Sequence, residues 1–395
     1  MSNERPRILC ISLSPLRSDA RVLRQISLLS EIGDVTTVGF GAAPDGVFAH
    51  HQVPEGLSTL PQTPLGIVRL ALRMHRSAEI SAPAVRWTAN RVGGHTFDLV
   101  VANEARALGV AHRIADGAPV WADMHEWAPE ERTHILRWRL LVAPFMVHLC
   151  RTYLPPSALV TTVGDGIAAL YRQQFDVPAL VMRNAGGFRA LKPSPVSDEQ
   201  IRLVHSGAAI HGRRLELMIE TMKLLDARFT LDLYLMPGGD GGAYLRELRA
   251  SAAPDSRITF HPPVPPEDLP RVLNAYDVGV FWIPPTHTNA RLTLPNKFFD
   301  FVQARLMVAV GPSPEMAELV TRHDLGVISH DFTPESCAQS LTSLDMESVR
   351  SAKAASDAAA QELSFENDAA HIRAVIERIL GARSGGETPP QEEKA

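Results

Sequence analysis

The chain has 395 residues, too many for one ordinary hydrophobic core, so two domains are expected. Apolar residues make up 45% and charged residues 21%, the balance of a soluble globular protein. A net charge of −5 argues against a dedicated nucleic-acid binder, and no nucleic-acid partner is expected. The three cysteines, Cys10, Cys150 and Cys337, are odd in number and widely spaced. That pattern implies neither a disulfide framework nor a zinc site and fits a reducing, cytoplasmic compartment.

In chain order, "RILCISLS" reads as a first strand, its apolar run too short for a signal peptide. "SDARVLRQISLLSEIG" follows as a helix, with Val22, Leu23, Ile26 and Leu29 on one face and Gly33 as its stop. "DVTTVGFG", "FDLVVANE" (97–104), "APVWADMHE" (118–126) and "ALVTTVGDG" (158–166) read as further strands with helical sequence between them. The stretch 45–90, rich in Pro, Ser and His, carries no readable pattern. Apolar strands alternating with helices predict a parallel sheet in an α/β domain.

After a linker-like segment, "GGFRALKPSPVSDEQ", the alternation restarts with "IRLVHSG". It continues through "FTLDLYLMPGG", "RITFHPPV", "DVGVFWIPP" and "LMVAVG", each paired with a helical stretch. The expected organisation is a Rossmann-like doubly wound domain over 1–188, a linker at 189–200 and a second such domain over 201–382. The second domain's final helix is free to cross back to the first, and a disordered tail is expected over 383–395. Ligands of open parallel sheets bind at strand carboxyl ends, so a site facing a cleft between the two domains is expected. No run reaches ~18 uninterrupted apolar residues, so no membrane span is expected.

One stretch, "TLPNKFFDFVQAR" (293–305), places Lys297 and Asp300 at the start of an apolar helix, in a chain with five lysines and 34 arginines. Pro295 suits a first helical turn, giving a helix from about Pro295 to Arg305. Its free N–H groups and positive dipole end form an anion site, to which Lys297 adds a mobile charge. Asp300 lies one turn on, on roughly the face of Asn296, where a carboxylate can accept hydrogen bonds from neighbouring hydroxyls. Spacing alone fits equally a capped helix with a solvated charge pair.

Other motifs are weaker. "DMHE" (123–126) lacks a second histidine four residues on, so the zinc-protease pattern fails. No Asp-x-Asp pair occurs, so no metal is expected and cationic side chains must neutralise any diphosphate. Neither a Gly-rich dinucleotide fingerprint, nor a phosphate loop, nor a Gly-x-Ser-x-Gly elbow is present. "LRWRLLVAPFMVHLCRTYLP" (136–155) is either a pair of core helices broken by Pro144 or a stretch that touches a membrane surface.

"LPNKFFDFVQARLMVAVG" resembles the signature of retaining, family-four-type glycosyltransferases with the GT-B fold: Pro-Asn-Lys, two apolar residues, an acid and an aromatic, then an apolar strand. "SDARVLRQISLLSEIGDVTTVGFG", "APVWADMHEWAPEE" and "IRLVHSGAAIHGRRLELMIETMKLL" resemble other parts of that family, in order over roughly residues 7–330. The resemblance implies an N-terminal acceptor domain and a C-terminal donor domain. It implies that Asp300 holds a nucleotide ribose and that His125 points at the donor sugar. Arg213, or Arg214 one position on, matches a diphosphate-binding cation, beside Lys297 and Asn296. Gly238 and Gly239 match glycines that let backbone approach the donor, Pro263 and Val264 a turn that touches the nucleobase, and Thr288 and Asn289 donor contacts. Asp19, Arg21 and Glu126 are candidates for the acceptor.

Many members carry a second acid eight positions before the one matched by Asp300, and here Leu292 stands at that place. The implied activity is retaining, metal-independent transfer from a nucleoside diphosphate sugar to an acceptor hydroxyl. That acceptor is a glycan, a lipid-linked sugar or a small molecule. No separate cofactor is implied, and peripheral contact with the inner face of a membrane is an open alternative. A nucleotide-sugar epimerase on the same fold and an inactive nucleotide-sugar-binding homologue are the alternative readings.

Overall fold

The computed structural model describes residues 5–385, with side chains to residue 382. The chain forms two compact units. One runs to Arg183 and is completed by the chain from Asp368, and the other is Asn184–Asn367.

The first unit's sheet holds β1 (Arg7–Pro15), β2 (Asp34–Phe40), β3 (Ala49–Val53), β4 (Leu99–Asn103), β5 (Val120–Met124), β6 (Leu159–Thr162) and β7 (Leu180–Val181). Their order is β3-β2-β1-β4-β5-β6-β7, and every neighbouring pair is parallel. β4, β5 and β6 are buried throughout, which is why they read as unbroken apolar runs. The order reverses between β1 and β4, so the crevice beyond their carboxyl ends is where this topology leaves room for a ligand.

Residues 45–90 hold edge strand β3 and helices Pro64–Ala71, His75–Ala78 and Pro83–Val92. β3, "AHHQV", buries only Val53 and so lacks the alternation that marks a strand.

The second unit's sheet holds β8 (Ile201–Ala209), β9 (Phe229–Pro237), β10 (Ile258–His261), β11 (Val278–Phe281), β12 (Met307–Val310) and β13 (Gly326–Ile328). The order is β10-β9-β8-β11-β12-β13, again parallel, with its reversal between β8 and β11. Alternate strand residues enter two different cores. Leu203, Val280 and Ala309 face one with Leu217 and Leu248, while Val204, Phe281 and Val308 face the other with Phe298 and Phe301.

Residues 182–200 form neither helix nor strand. The last helix, Phe365–Gly385, begins in the second unit and continues in the first. There Asp368 accepts hydrogen bonds from Arg183, and Ile372 and Ile376 are buried. Of the expected tail, residues 386–395 lie outside the described residues.

Candidate functional site

In the first unit, the carboxyl ends of β1, β4 and β5 and the first turn of helix Ala20–Ile32 share one polar network. At its centre is Asp123, fully buried at the end of β5. Arg21 donates to it twice, from Nε at 2.8 Å and from Nη2 at 2.6 Å. Thr161 Oγ1 donates at 2.6 Å and Gln25 Nε2 at 3.3 Å. His125 Nε2 lies 3.1 Å from Asp123 Oδ2 and 3.0 Å from Asn103 Oδ1. Asn103 uses its own amide hydrogens on Gln25 Oε1, at 2.8 Å, so its oxygen faces the histidine. Both neighbours of Nε2 are therefore acceptors, which puts a proton on Nε2 and fixes the ring.

The other ring nitrogen, Nδ1, faces Glu104 Oε1 at 3.4 Å. Glu104 has φ 70° and ψ 158°, a region almost reserved for glycine, at a cost of about 1–3 kcal/mol. Its N–H donates to Asp123 O at 2.9 Å, which ties the strained residue to the end of β5.

Charge follows this geometry. Burial opposes ionisation of Asp123, but Arg21 and His125 outweigh it and hold the carboxyl well below its usual range. Burial also works against a charged His125, yet Asp123 and Glu104 raise its pKa. Burial raises Glu104, helped by Glu131 and opposed by His125. Glu126 still reaches solvent, but desolvation, Glu104 and Glu131 push it up to about 7. The arrangement presents an oriented, proton-bearing imidazole beside Glu104, whose carboxyl is raised, and near Glu126, which is poised to exchange a proton at about 7.

In the second unit the carboxyl half of β8 carries His205, Gly207 and the turn leading to Arg213. A Cβ placed on Gly207 would lie 3.6 Å from both Arg213 Nη1 and His205 Nε2, and 4.0 Å from Lys297 Cε. The missing side chain thus leaves a space walled by three nitrogen-bearing groups. His205 Nδ1 donates to Val280 O at 2.9 Å, which turns Nε2 toward that space. Burial, then Lys297 and Arg213, push His205 down to about 4, so it is neutral near pH 7. Lys297 Nζ pairs with Asp300 Oδ2 at 3.2 Å. The helix carrying both is Asn296–Gln303, with Pro295 as its N-cap rather than in its first turn.

The remaining expected residues fall as follows. Arg214 does not join the Gly207 space; it takes a left-handed φ of 50° and faces Glu216 at 3.5 Å. Gly238 is needed for packing, because a Cβ there would meet Ala209 O at 2.3 Å, whereas Gly239 has open space around it. Pro263 is exposed and Val264 half-buried against the second core. Thr288 and Asn289 begin a short helix, Thr288–Arg291, and Asn289 is buried. Asp19 caps its helix by accepting from Val22 N at 3.2 Å. Arg21, expected to meet an acceptor, is instead 6% exposed and turned inward onto Asp123 and Met182 O, because a buried carboxylate needs a cation there.

Sequence reasoning missed Gln25, Asn103, Glu104 and His205. Glu104 was legible only as the last letter of a strand, and His205 as one polar residue inside another. Among the described residues, no helix is long and apolar enough to cross a membrane.

No protein-family model matches the sequence, and no curated protein matches it. Solved structures do. HepE of Anabaena in complex with UDP-glucose superposes with a TM-score of 0.68 at 16% identity, covering 96% of this chain and 100% of that one. Sucrose-phosphate synthase of Thermosynechococcus elongatus gives 0.67 at 12% identity, covering 96% and 100%. A UDP-forming trehalose-phosphate synthase of Burkholderia vietnamiensis gives 0.64 at 11%, covering 96% and 99%. With two parallel Rossmann-like sheets and these neighbours, the chain has the GT-B fold.

Proposed function

We propose that the chain is a glycosyltransferase that moves a sugar from a nucleoside diphosphate sugar to an acceptor hydroxyl with retention of configuration. The observation that carries this reading is the convergence of His205, Arg213 and Lys297 around the bare Cα of Gly207, at the switch point of the second sheet. A diphosphate needs concentrated positive charge and room for backbone approach, and this place supplies both. The Asn296–Gln303 helix adds its N-terminal dipole. Asp300 is the group to accept hydrogen bonds from the ribose, exchanging Lys297 for hydroxyls. A UDP-sugar is the first donor to try, since HepE was solved with UDP-glucose.

When the sugar–phosphate bond breaks, negative charge grows on the leaving diphosphate. Arg213 and Lys297 stabilise it with no metal required, and this electrostatic contribution is the largest expected. By the resemblance of residues 118–131, His125, held in one orientation by Asp123 and Asn103, is the residue assigned to the donor sugar. Retention follows from the resemblance of residues 293–310, with the donor phosphate taking the acceptor proton on the same face. Glu126 and Asp19 are the residues assigned to the acceptor, which is a glycan, a lipid-linked sugar or a small molecule.

Calorimetry with UDP, GDP, ADP and dTDP tests the donor site. One diphosphate should bind, and Lys297→Ala and Asp300→Ala should each weaken it by about tenfold or more. Binding that ignores both substitutions, or no binding by any of the four, overturns the reading.

A further inference from the structure

The first unit carries an apolar surface that its own fold leaves uncovered. Helix Pro64–Ala71 buries Gly66 and Leu70, yet its outward face is also apolar rather than polar. Leu65 is 59% exposed, Val68 51% and Leu72, just past its end, 65%. A surface helix of a soluble domain normally turns charged or polar residues outward. The helix packs against the π-helical turn Trp138–Val142, and Arg73 Nη1 fastens the two by donating to Leu140 O at 2.8 Å. That second segment adds Ile135, Leu136 and Leu140, which are 44%, 57% and 53% exposed. Two segments far apart in sequence thus bring exposed apolar side chains to neighbouring parts of one surface.

Its charge is as one-sided as its hydropathy. Residues 64–78 and 132–153 contain seven arginines and no acidic residue, in a chain whose net charge is −5. Arg73, Arg76, Arg137 and Arg139 are exposed beside the apolar side chains. Glu79 and Glu131 border these segments but are mostly buried and engaged by His148, Tyr153 and Arg106, so the exposed charges of the two segments are arginines. Exposed apolar side chains among arginines match the boundary of an anionic bilayer: acyl chains accept the leucines while headgroup phosphates pair with guanidinium groups. A protein partner would instead need an acidic rim around an apolar centre.

We infer that the surface formed by helix Pro64–Ala71 and residues 135–140 docks the protein on anionic membrane. The contact is peripheral. It draws on observations separate from the diphosphate space, so it stands or falls independently of the proposed transfer reaction.

Vesicle flotation tests it with the full chain. Vesicles of phosphatidylcholine mixed with phosphatidylglycerol should carry the protein, vesicles of phosphatidylcholine alone should not, and added salt should release it. Leu65→Asp with Leu72→Asp should abolish flotation while melting temperature and nucleoside diphosphate binding stay unchanged, since both side chains lie mostly in solvent. Arg76→Gln and Arg137→Gln should each weaken binding by about fivefold. No flotation with either vesicle overturns the inference, as does equal flotation with both. A wild-type dimer that becomes monomeric in the double leucine variant, without any flotation, would reassign the surface to self-association.

Discussion

Asp123 shows how a buried charge organises the first unit. It has no exposed surface, and Arg21, Thr161, Gln25 and His125 all converge on it. Asp123→Asn leaves the Arg21 guanidinium buried without its carboxylate, so a loss of about 3–5 kcal/mol in denaturant-unfolding stability is expected. The pH dependence should change as well. A histidine whose folded pKa is raised adds stability below its unfolded value near ~6.5, and loses it as pH rises through the folded value. In Asp123→Asn that slope should shrink, and a ring-proton titration of His125 should shift to lower pH. An unchanged titration would mean that Glu104 alone sets the imidazole charge. His205 has the opposite sign. Its folded pKa of about 4 lies below the unfolded one, so acidification from ~6.5 to ~4 should cost roughly 3 kcal/mol. His205→Asn should flatten that part of the curve. None of these pairings was visible in the sequence, because Arg21 and Asp123 stand 102 positions apart and only the fold joins them.

The helix Asn296–Gln303 lies between what sequence discloses and what it hides. Its apolar face, Phe298, Phe299, Phe301 and Val302, is legible from spacing, and so is the Lys297–Asp300 pair at its start. Most of the parallel strands were equally legible, because burial on both faces writes itself as apolar runs, whereas β3, two-residue β7 and half-buried β13 carry no such run and were not read. What spacing cannot show is why the helix sits where it does. A Cβ on Gly279 of β11 would lie 2.3 Å from Phe301 Cγ, so the helix approaches the strand only because no side chain intervenes. Gly279→Ala should therefore destabilise the second unit by about 1–3 kcal/mol and weaken diphosphate binding, since Lys297 and Asp300 move with the helix. Phe301→Leu should cost stability alone yet recover part of the loss in the double variant. Strictly additive costs in that cycle would rule out the close approach as the cause. Residues 64–80 were unreadable for a different physical reason. Helix Pro64–Ala71 is apolar on its outside too, so the contrast between core and solvent faces that periodicity detects is missing there.

At the scale of the whole molecule, the chain completes its first unit last. After Asn367 the final helix adds Ala369, Ile372, Ile376 and Leu380 to buried surface, and Asp368 neutralises Arg183. Arg373 also pairs with Glu31 on the opposite part of the same unit. Burying the three large aliphatic side chains contributes roughly 5–9 kcal/mol, and losing the partner of a mostly buried arginine costs about 3–5 more. A domain's whole stability is about 5–15 kcal/mol, so a chain ending at Asn367 should have a first unit that no longer stays folded. Tryptophan reports the two units separately. Trp87, Trp121, Trp127 and Trp138 lie in the first, while Trp282, buried, is the second unit's tryptophan. In urea the truncated Trp282→Phe chain should therefore show the first unit already unfolded or unfolding far earlier than in the full-length Trp282→Phe protein. The second unit is one continuous segment holding His205, Gly207, Arg213 and Lys297, so the truncated chain should still bind a nucleoside diphosphate. An unshifted first-unit transition would show that the final helix is only appended to that unit. Loss of diphosphate binding together with the first unit would show instead that the second unit depends on the first to fold.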